Sequence, residues 1–421
     1  MRILHIYDGH ERVAIGEGSV PYVVFSLAKH SAELGHEVTV IERKWDGAQP
    51  FEMVDGIKFI RINLGFGSNT SNAEPVYSKI NRIGGVIALV LEKLSFSLKV
   101  YSIIHNSEYD VIHFHLPFSS NLLVRMSKNI RKRAIYTAHV GQENLRFSLG
   151  TKISVFFKVL NPDLMLIKKI RKTVLLNEAL RAKLMSKGLS QELFTVIPNG
   201  IERPAVPEAL RMSREGLSLE YHIRSKVVLF SGTVIPRKGV DILLKAIALL
   251  KQRDYTAVII GRLDADPDYV EHLRGFAEKN KLNVVFTGFV DYGTLVSLYE
   301  IADVGVLPSF EEGDPLSLKE MIACGIPVIG SKISGISQQI LDGKNGFLFQ
   351  VGDFEDLSKK LEIILNDDSL RNEFSKSSLN FSANFTWERT VKKYIDLYNS
   401  ICLKNTAYIP QWGIPEHSGK G

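Results

Sequence analysis

Two glutamates eight residues apart, Glu312 and Glu320, mark the most chemically informative stretch of this 421-residue chain, which runs from Leu307 to Pro327. Within it, Asp314 suits a helix N-cap, Pro315 the first helical position, Gly325 a left-handed stop, and Pro327 a block to continuation. The spacing predicts a helix over Pro315–Cys324, with the free amides of Gly313, Leu316 and Ser317 aimed into whatever cleft lies beyond. A carboxylate in the loop, Glu312, can contact a sugar hydroxyl or stabilise cationic character. One inside the helix, Glu320, can accept hydrogen bonds from a ribose diol. The plain structural alternative is a capped helix with a solvated glutamate.

Two further loops have the chemistry of anion binding. In Phe230-Ser-Gly-Thr-Val-Ile-Pro-Arg-Lys-Gly-Val240 a strand ends in Ser-Gly, and Lys238-Gly239 opens the next helix. Arg237 and Lys238 therefore stand where a strand's carboxyl end meets a helix amino terminus, a position suited to a diphosphate, although an exposed basic pair has the same sequence. Near the amino terminus, Gly16-Glu-Gly18-Ser19-Val20 leads from the opening strand into a helix. It is an incomplete version of the glycine fingerprint for dinucleotides, equally consistent with a tight strand–helix turn.

The elements that must carry these loops follow from short apolar runs alternating with helical patterns, the signature of βαβ units. Arg2–Ile6, Glu37–Ile41, Asp110–His113, Ala134–Thr137, Thr173–Leu175 and Phe194–Ile197 read as strands of a first unit. The rhythm lapses over Ile201–Arg224, which carries Pro204 and Pro207. It then restarts with strands at Lys226–Phe230, Thr256–Ile260, Val284–Thr287, Val304–Leu307 and Pro327–Gly330. The expected fold class is α/β: two doubly wound, Rossmann-like domains facing across a cleft, because such sheets bind ligands beyond their strands' carboxyl ends.

Composition narrows the function classes. With 45% hydrophobic and 23% charged residues, the chain is neither disordered nor collagen-like. Cys324 and Cys402 form no CxxC pair, and the opening residues lack a signal peptide's long apolar region, so a cytoplasmic setting is expected. Ile83–Ile104 is apolar but carries Glu92, Lys93 and Lys99, so an amphipathic helix is expected rather than a membrane span. Positive charge is concentrated: Val111–Gly188 holds 15 basic residues against three acidic ones. A solvated face and a surface for anionic lipid or a phosphate-bearing acceptor are the two main readings; nucleic acid is not expected, since no stacking platform accompanies the charge. Asp264-Ala-Asp266 is a weak candidate for a metal pair. His113 and His115 share a strand face without a readable third ligand, so no metal is expected.

Taken together, these motifs resemble the large family of retaining, nucleotide-sugar-dependent glycosyltransferases with the GT-B fold. Glu312 and Glu320 match its E-x7-E element, followed by Ala323-Cys-Gly325-Ile-Pro327-Val328. Gly18-Ser19 matches its glycine loop and Asp110-Val-Ile-His-Phe-His115 its D-V-x-H-x-H strand. His139 matches the histidine of its T-x-H segment, Pro198-Asn199-Gly200 its Pro-Asn-Gly turn, and Lys238-Gly239 its K-G pair. The helix opening at Phe385-Thr-Trp387-Glu is similar to the family's last helix, which crosses back to the first domain.

The resemblance implies an acceptor-binding domain over residues 1–202, a donor-binding domain over 203–385, and a closing helix and tail over 386–421. It implies that Arg237, Lys238, Gly313, Leu316 and Ser317 hold the diphosphate, that Gly18 and Ser19 close over it, and that Glu320 and Val290 meet ribose and base. Glu312 and His139 would flank the transferred sugar. No metal cofactor is implied; the nucleotide sugar is a substrate. The chain departs from the family pattern at Thr233, where arginine is usual and Arg237 or Arg262 could supply the charge. It departs also at Asp314, at Val140, and over Ser334-Gly-Ile-Ser-Gln338. The expected function is sugar transfer to a glycan, lipid-linked or phosphate-bearing acceptor, in the cytoplasm or peripherally at the inner membrane face. The alternative is a catalytically silent partner of another transferase.

Overall fold

Apolar strands too uniformly hydrophobic to have a wet face are covered on both sides in a parallel arrangement, and this chain builds two such sheets. The computed structural model describes residues 1–64, 83–139, 161–223, 225–251 and 254–406. Val140 and Arg224, together with the basic residues between 140 and 160 and the tail beyond 406, lie outside the described residues.

The first sheet contains β1 (Arg2–Ile6), β2 (Glu37–Arg43), β3 (Phe51–Val54), β4 (Ile57–Ile62), β5 (Val111–Phe114), β6 (Ala134–Ala138), β7 (Lys172–Leu175) and β8 (Phe194–Val196). Its order is β3-β4-β2-β1-β5-β6-β7-β8, parallel except for the β3–β4 hairpin. That hairpin has no counterpart among the strands expected from the sequence; its turn runs through Asp55 and Gly56, both with positive φ. The second sheet contains β9 (Lys226–Ser231), β10 (Tyr255–Ile260), β11 (Val284–Gly288), β12 (Val304–Leu307), β13 (Val328–Ser331) and β14 (Gly346–Phe349). Its order, β11-β10-β9-β12-β13-β14, is parallel throughout.

Strand order reverses between β1 and β5 in one sheet and between β9 and β12 in the other. At such switch points the flanking loops diverge and open a crevice. The loops after β1, β9 and β12 are those carrying Gly18, Lys238 and Glu312, so topology alone assembles them.

Helices cover the sheets. Those that matter to the site are α1 (Ser19–Glu33), α2 (Ile83–His105), α3 (Pro117–Met126) and α4 (Lys128–Arg133) in the first half. In the second they are α5 (Pro267–Lys279), α6 (Tyr292–Glu300), α7 (Leu316–Ala323), α8 (Ser334–Ser337) and α9 (Trp387–Thr406). Chain 194–201 returns against the entry to α9: Ile201 N donates to Phe385 O at 2.7 Å, and Ile201 bridges to Thr386. From there α9 lies back on the first sheet, burying Trp387, Val391, Tyr394, Tyr398 and Ile401 with Ile3, Val111, Ile135 and Val174. Gly200 permits that crossing, because a Cβ there would stand 2.5 Å from the Trp387 ring.

Candidate active site

β9 ends at Ser231, and the chain turns through Gly232 into a short 3-10 turn, Pro236–Lys238, closed by Gly239 at φ 68°. A side chain at Gly239 would meet Pro308 O at 2.2 Å, so only glycine lets this turn press against the loop after β12. The close fit delivers Lys238 to Glu312: its Nζ lies 2.5 Å from Oε1, and both side chains are nearly enclosed. Ser309 Oγ donates to the same oxygen at 2.8 Å. Arg237 donates to Glu311 O at 2.6 Å and stands 3.6 Å from Glu312 Oε2.

Burial pushes the Glu312 carboxyl up, but Lys238 and Arg237 outweigh it and hold its pKa below the ordinary value. Burial also lowers the Lys238 pKa, with Arg237 adding to the effect and Glu312 opposing it. The result is an enclosed ion pair with a second cation beside it, facing the amino end of α7. Gly313, Leu316 and Ser317 line that end and are partly buried.

Asp314 does not cap the helix. The N-cap is Pro315, with no side-chain bond, and α7 covers Leu316–Ala323 rather than Pro315–Cys324. The Asp314 carboxylate instead turns inward: it takes 2.6 Å from Lys319 Nζ and 2.7 Å from Asn199 N and from Gln339 Nε2. A buried ammonium and a free peptide N–H outbid the helix amides for it. The Asp314 carboxylate is thus turned away from the amino end of α7.

Glu320 lies just over one turn along α7, where the Tyr299 hydroxyl of α6 donates to its Oε2 at 2.9 Å. Burial raises the Glu320 pKa, and the Glu320 charge reaches Tyr22 of α1 across the cleft. Val290 is half-buried against the second core just beyond Gly288, next to Phe289, which is 70% exposed. On the opposing side, Gly18 is the extended N-cap of α1, and Ser19 is exposed. Neither is hydrogen-bonded to Lys238, whose bonds go to Glu312 and Ile235. The link across the gap is Glu11, packed on Gly18, whose carboxyl is pushed up by burial and drawn down by Arg262.

Arg262 is itself held by Asp264 at 3.1 and 3.0 Å on the surface. Of the two arginines that could replace the missing charge at Thr233, Arg237 is therefore the one at the Lys238–Glu312 pair. Asp266, the other half of the possible metal pair, caps α5 by accepting from Tyr269 N at 3.1 Å.

His139 follows β6 and faces the same cleft. Its carbonyl oxygen would lie 3.5 Å from a Cβ at Gly313, and Asn177 Nδ2 donates to Gly313 O at 2.8 Å, so the two halves meet at Glu312-Gly313. His139 Nε2 is 3.0 Å from His115 Nδ1. Sequence reasoning found no third histidine for His113 and His115; the structure supplies His5, opposite His113 in the β1–β5 register. Its period-2 position in the opening strand was the available signal, but pairing of β1 with β5 is not readable locally. Glu11, Tyr299 and Asn177 were missed for the same reason. Two surface hollows, of about 40 and 260 Å³, lie away from this cleft and include none of these residues.

Two parallel α/β domains with their switch points turned to one cleft, joined by a helix that crosses back, define the GT-B architecture. Residues 221–381 match the family model "Glycosyl transferases group 1" and residues 20–203 match "Glycosyltransferase Family 4", between them most of the chain. The chain belongs to the group 1 GT-B glycosyltransferases, and it is an enzyme of that class. It is 25% identical to a D-inositol 3-phosphate glycosyltransferase of Corynebacterium diphtheriae over 93% of this chain and 91% of the relative. Its fold is similar to that of sucrose-phosphate synthase from Thermosynechococcus elongatus, with TM-score 0.78, 19% identity, and coverage of 96% and 99% of the two chains. It is also similar to Anabaena HepE solved with UDP and glucose, with TM-score 0.69, 20% identity, and coverage of 95% and 100%.

Proposed function

We propose that this enzyme moves a sugar from a nucleoside-diphosphate sugar to a phosphate-bearing or lipid-linked acceptor, with retention of anomeric configuration and without a metal ion. The observation that carries the reading is the Lys238–Glu312 contact of 2.5 Å at the carboxyl ends of β9 and β12. Breaking an anomeric C–O bond builds oxocarbenium character on the sugar and negative charge on the departing diphosphate. Lys238, Arg237 and the amides of Gly313, Leu316 and Ser317 receive that charge, and Glu312 and His139 stand beside the sugar. Glu320 takes the ribose, Val290 the base, and Gly18 and Ser19 cover the phosphates. Residues 203–385 hold the donor, residues 1–202 the acceptor, and α9 ties the two.

The names of the relatives support a phosphate on the acceptor or product, D-inositol 3-phosphate in one and sucrose phosphate in the other. The basic tract that includes Arg125, Lys128, Lys132, Lys168 and Lys169 attracts such a group. The test is a panel of UDP-, GDP- and ADP-sugars scored for slow hydrolysis without acceptor, in chelator, with product anomers read by NMR. Consumption of one donor with its anomeric configuration kept is expected. No turnover together with no calorimetric binding of any nucleoside diphosphate would overturn the reading.

The working place is the cytoplasm, against the inner face of the membrane. Among the described residues no helix is long and apolar enough to cross a membrane. On α2, however, Glu92 and Lys93 are buried while Ile87, Val90, Leu91, Leu94 and Leu98 are 40–59% exposed along one stripe. A helix that hides Glu92 and Lys93, keeps Lys99 in solvent and shows its leucines suits the headgroup–acyl boundary, with nearby basic residues meeting anionic lipid.

A further inference from the structure

β1, β5 and β6 lie side by side, and their alternation places His5, His113, His115, Thr137 and His139 on the sheet face beneath α9. His5 Nδ1 is 3.0 Å from His115 Nε2, and His115 Nδ1 is 3.0 Å from His139 Nε2. The three rings form a line that starts in the core and ends at the cleft. Burial lowers the His5 and His139 pKa values to about 3, and burial with the neighbouring histidines holds His115 well below the ordinary value, so all three rings are neutral.

A neutral imidazole has one N–H and one bare nitrogen. Two ring-to-ring bonds in series therefore require every proton in the line to point the same way. In one polarity His5 Nδ1–H donates to His115, His115 Nδ1–H donates to His139 Nε2, and His139 keeps its proton on Nδ1. In the other, every proton sits on Nε2, and His5 is left with an N–H at the inner end. His5 Nε2 is buried without a hydrogen-bond partner. An N–H stranded there is the rarer and costlier orphan; a bare ring nitrogen is tolerated. His139 Nδ1, at the outer end, has no partner among the described residues and is not among the buried unpartnered atoms. It is the nitrogen left to meet a ligand.

We propose that His5 and His115 are positioning residues that hold the His139 proton on Nδ1, so that His139 presents a hydrogen-bond donor, not a base, to the cleft. Its partner is an oxygen of the transferred sugar, which rests on the site assignment made above. A different trio on this face, His5, His113 and His115, has ligand nitrogens within 4.8 Å of one another, a spacing that could suit a metal. However, both nitrogens of His113 are engaged, by Tyr398 OH at 2.9 Å and Thr137 Oγ1 at 2.7 Å, and no carboxylate belongs to the group to offset a buried dication.

The experiment is a two-bond proton–nitrogen correlation spectrum of the full chain labelled with 15N-histidine, without substrate, assigned by single His→Asn variants. Protons on Nδ1 of His5, His115 and His139 are expected; protons on Nε2, or a shift of the rings on adding Zn²⁺, would overturn the proposal. This readout needs no turnover, so it stands apart from the transferase reading. In parallel, His5→Asn retains an N–H close to the Nδ1 position, whereas His5→Leu does not. The asparagine variant is expected to keep its kcat, and the leucine variant to lose about tenfold or more in kcat with the donor KM unchanged. Equal activity in two equally folded variants would also overturn it; if either fails to fold, the wild-type spectrum decides.

Discussion

Lys319 Nζ lies 2.6 Å from Asp314 Oδ2, and neither side chain is exposed at all. The same lysine donates to Asn199 O at 2.6 Å, and the same carboxylate accepts from Asn199 N at 2.7 Å. One residue of the Pro198-Asn199-Gly200 turn, where the chain leaves the first sheet, is thus gripped by Lys319 of the helix that carries Glu320 and by Asp314 of the loop just before that helix. Phe385, at the entrance to the crossing helix, stacks its ring 5.1 Å from the ammonium. Burial lowers the Lys319 pKa, and Asp314 works against that. The knot ties the turn that leaves the first sheet to α7 in the second half of the chain, and it turns the Asp314 carboxylate away from the helix amides.

Removing one partner strands a buried charge. Asp314→Ala or Lys319→Met is expected to lower unfolding free energy by about 3–5 kcal/mol, and the double variant to recover part of that loss. Urea unfolding of the four proteins checks this; additive losses would show that the pair is not coupled.

Lys238→Ala should lower kcat/KM by about 100- to 1,000-fold, the usual loss on deleting one group that stabilises developing negative charge. Glu312 keeps Ser309 and Arg237 as neighbours, so the fold should hold. Steady-state kinetics with a thermal melt separates the two effects. A variant that turns over normally removes Lys238 from the mechanism.

Glu320 gives a prediction of opposite sign from an ordinary surface carboxylate. Its raised pKa means the native state favours the protonated form, so its contribution is best in acid and weakens as pH rises through the unfolded value toward the native one. Glu320→Gln, which can still accept from Tyr299, should melt higher than wild type near neutrality and bind nucleoside diphosphates less tightly. Melts across pH and calorimetry read both.

The histidine line predicts the acid limb. For His5 the native pKa is depressed to about 3, so stability is complete above about pH 6.5 and falls as acid protonates the unfolded chain first. Its slope is about 1.4 kcal/mol per pH unit. Denaturant unfolding between pH 4 and 7 should show a shallower dependence in His5→Asn than in wild type; parallel curves would place the sensitivity elsewhere.

Replacing Ile87, Leu91 and Leu98 together with serine should reduce co-sedimentation with anionic vesicles several-fold while leaving acceptor-free donor hydrolysis unchanged. Undiminished vesicle binding would remove α2 from the membrane contact.

Local information in the sequence determined the alternation of strands and helices, the glycine at position 239, the loops that hold Lys238 and Glu312, and the helix between them and Gly325. Period, turn chemistry and helix-stop rules act over a few residues, so they can be read without knowing what lies opposite. Three matters needed the assembled molecule: that Asp314 abandons its own helix for Lys319 and Asn199, that Arg237 and not Arg262 attends Glu312, and that His5 joins His115 and His139. Each depends on which strand lies beside which. That order is settled by the packing of two whole sheets and a crossing helix, where residues more than a hundred positions apart compete for the same proton or charge.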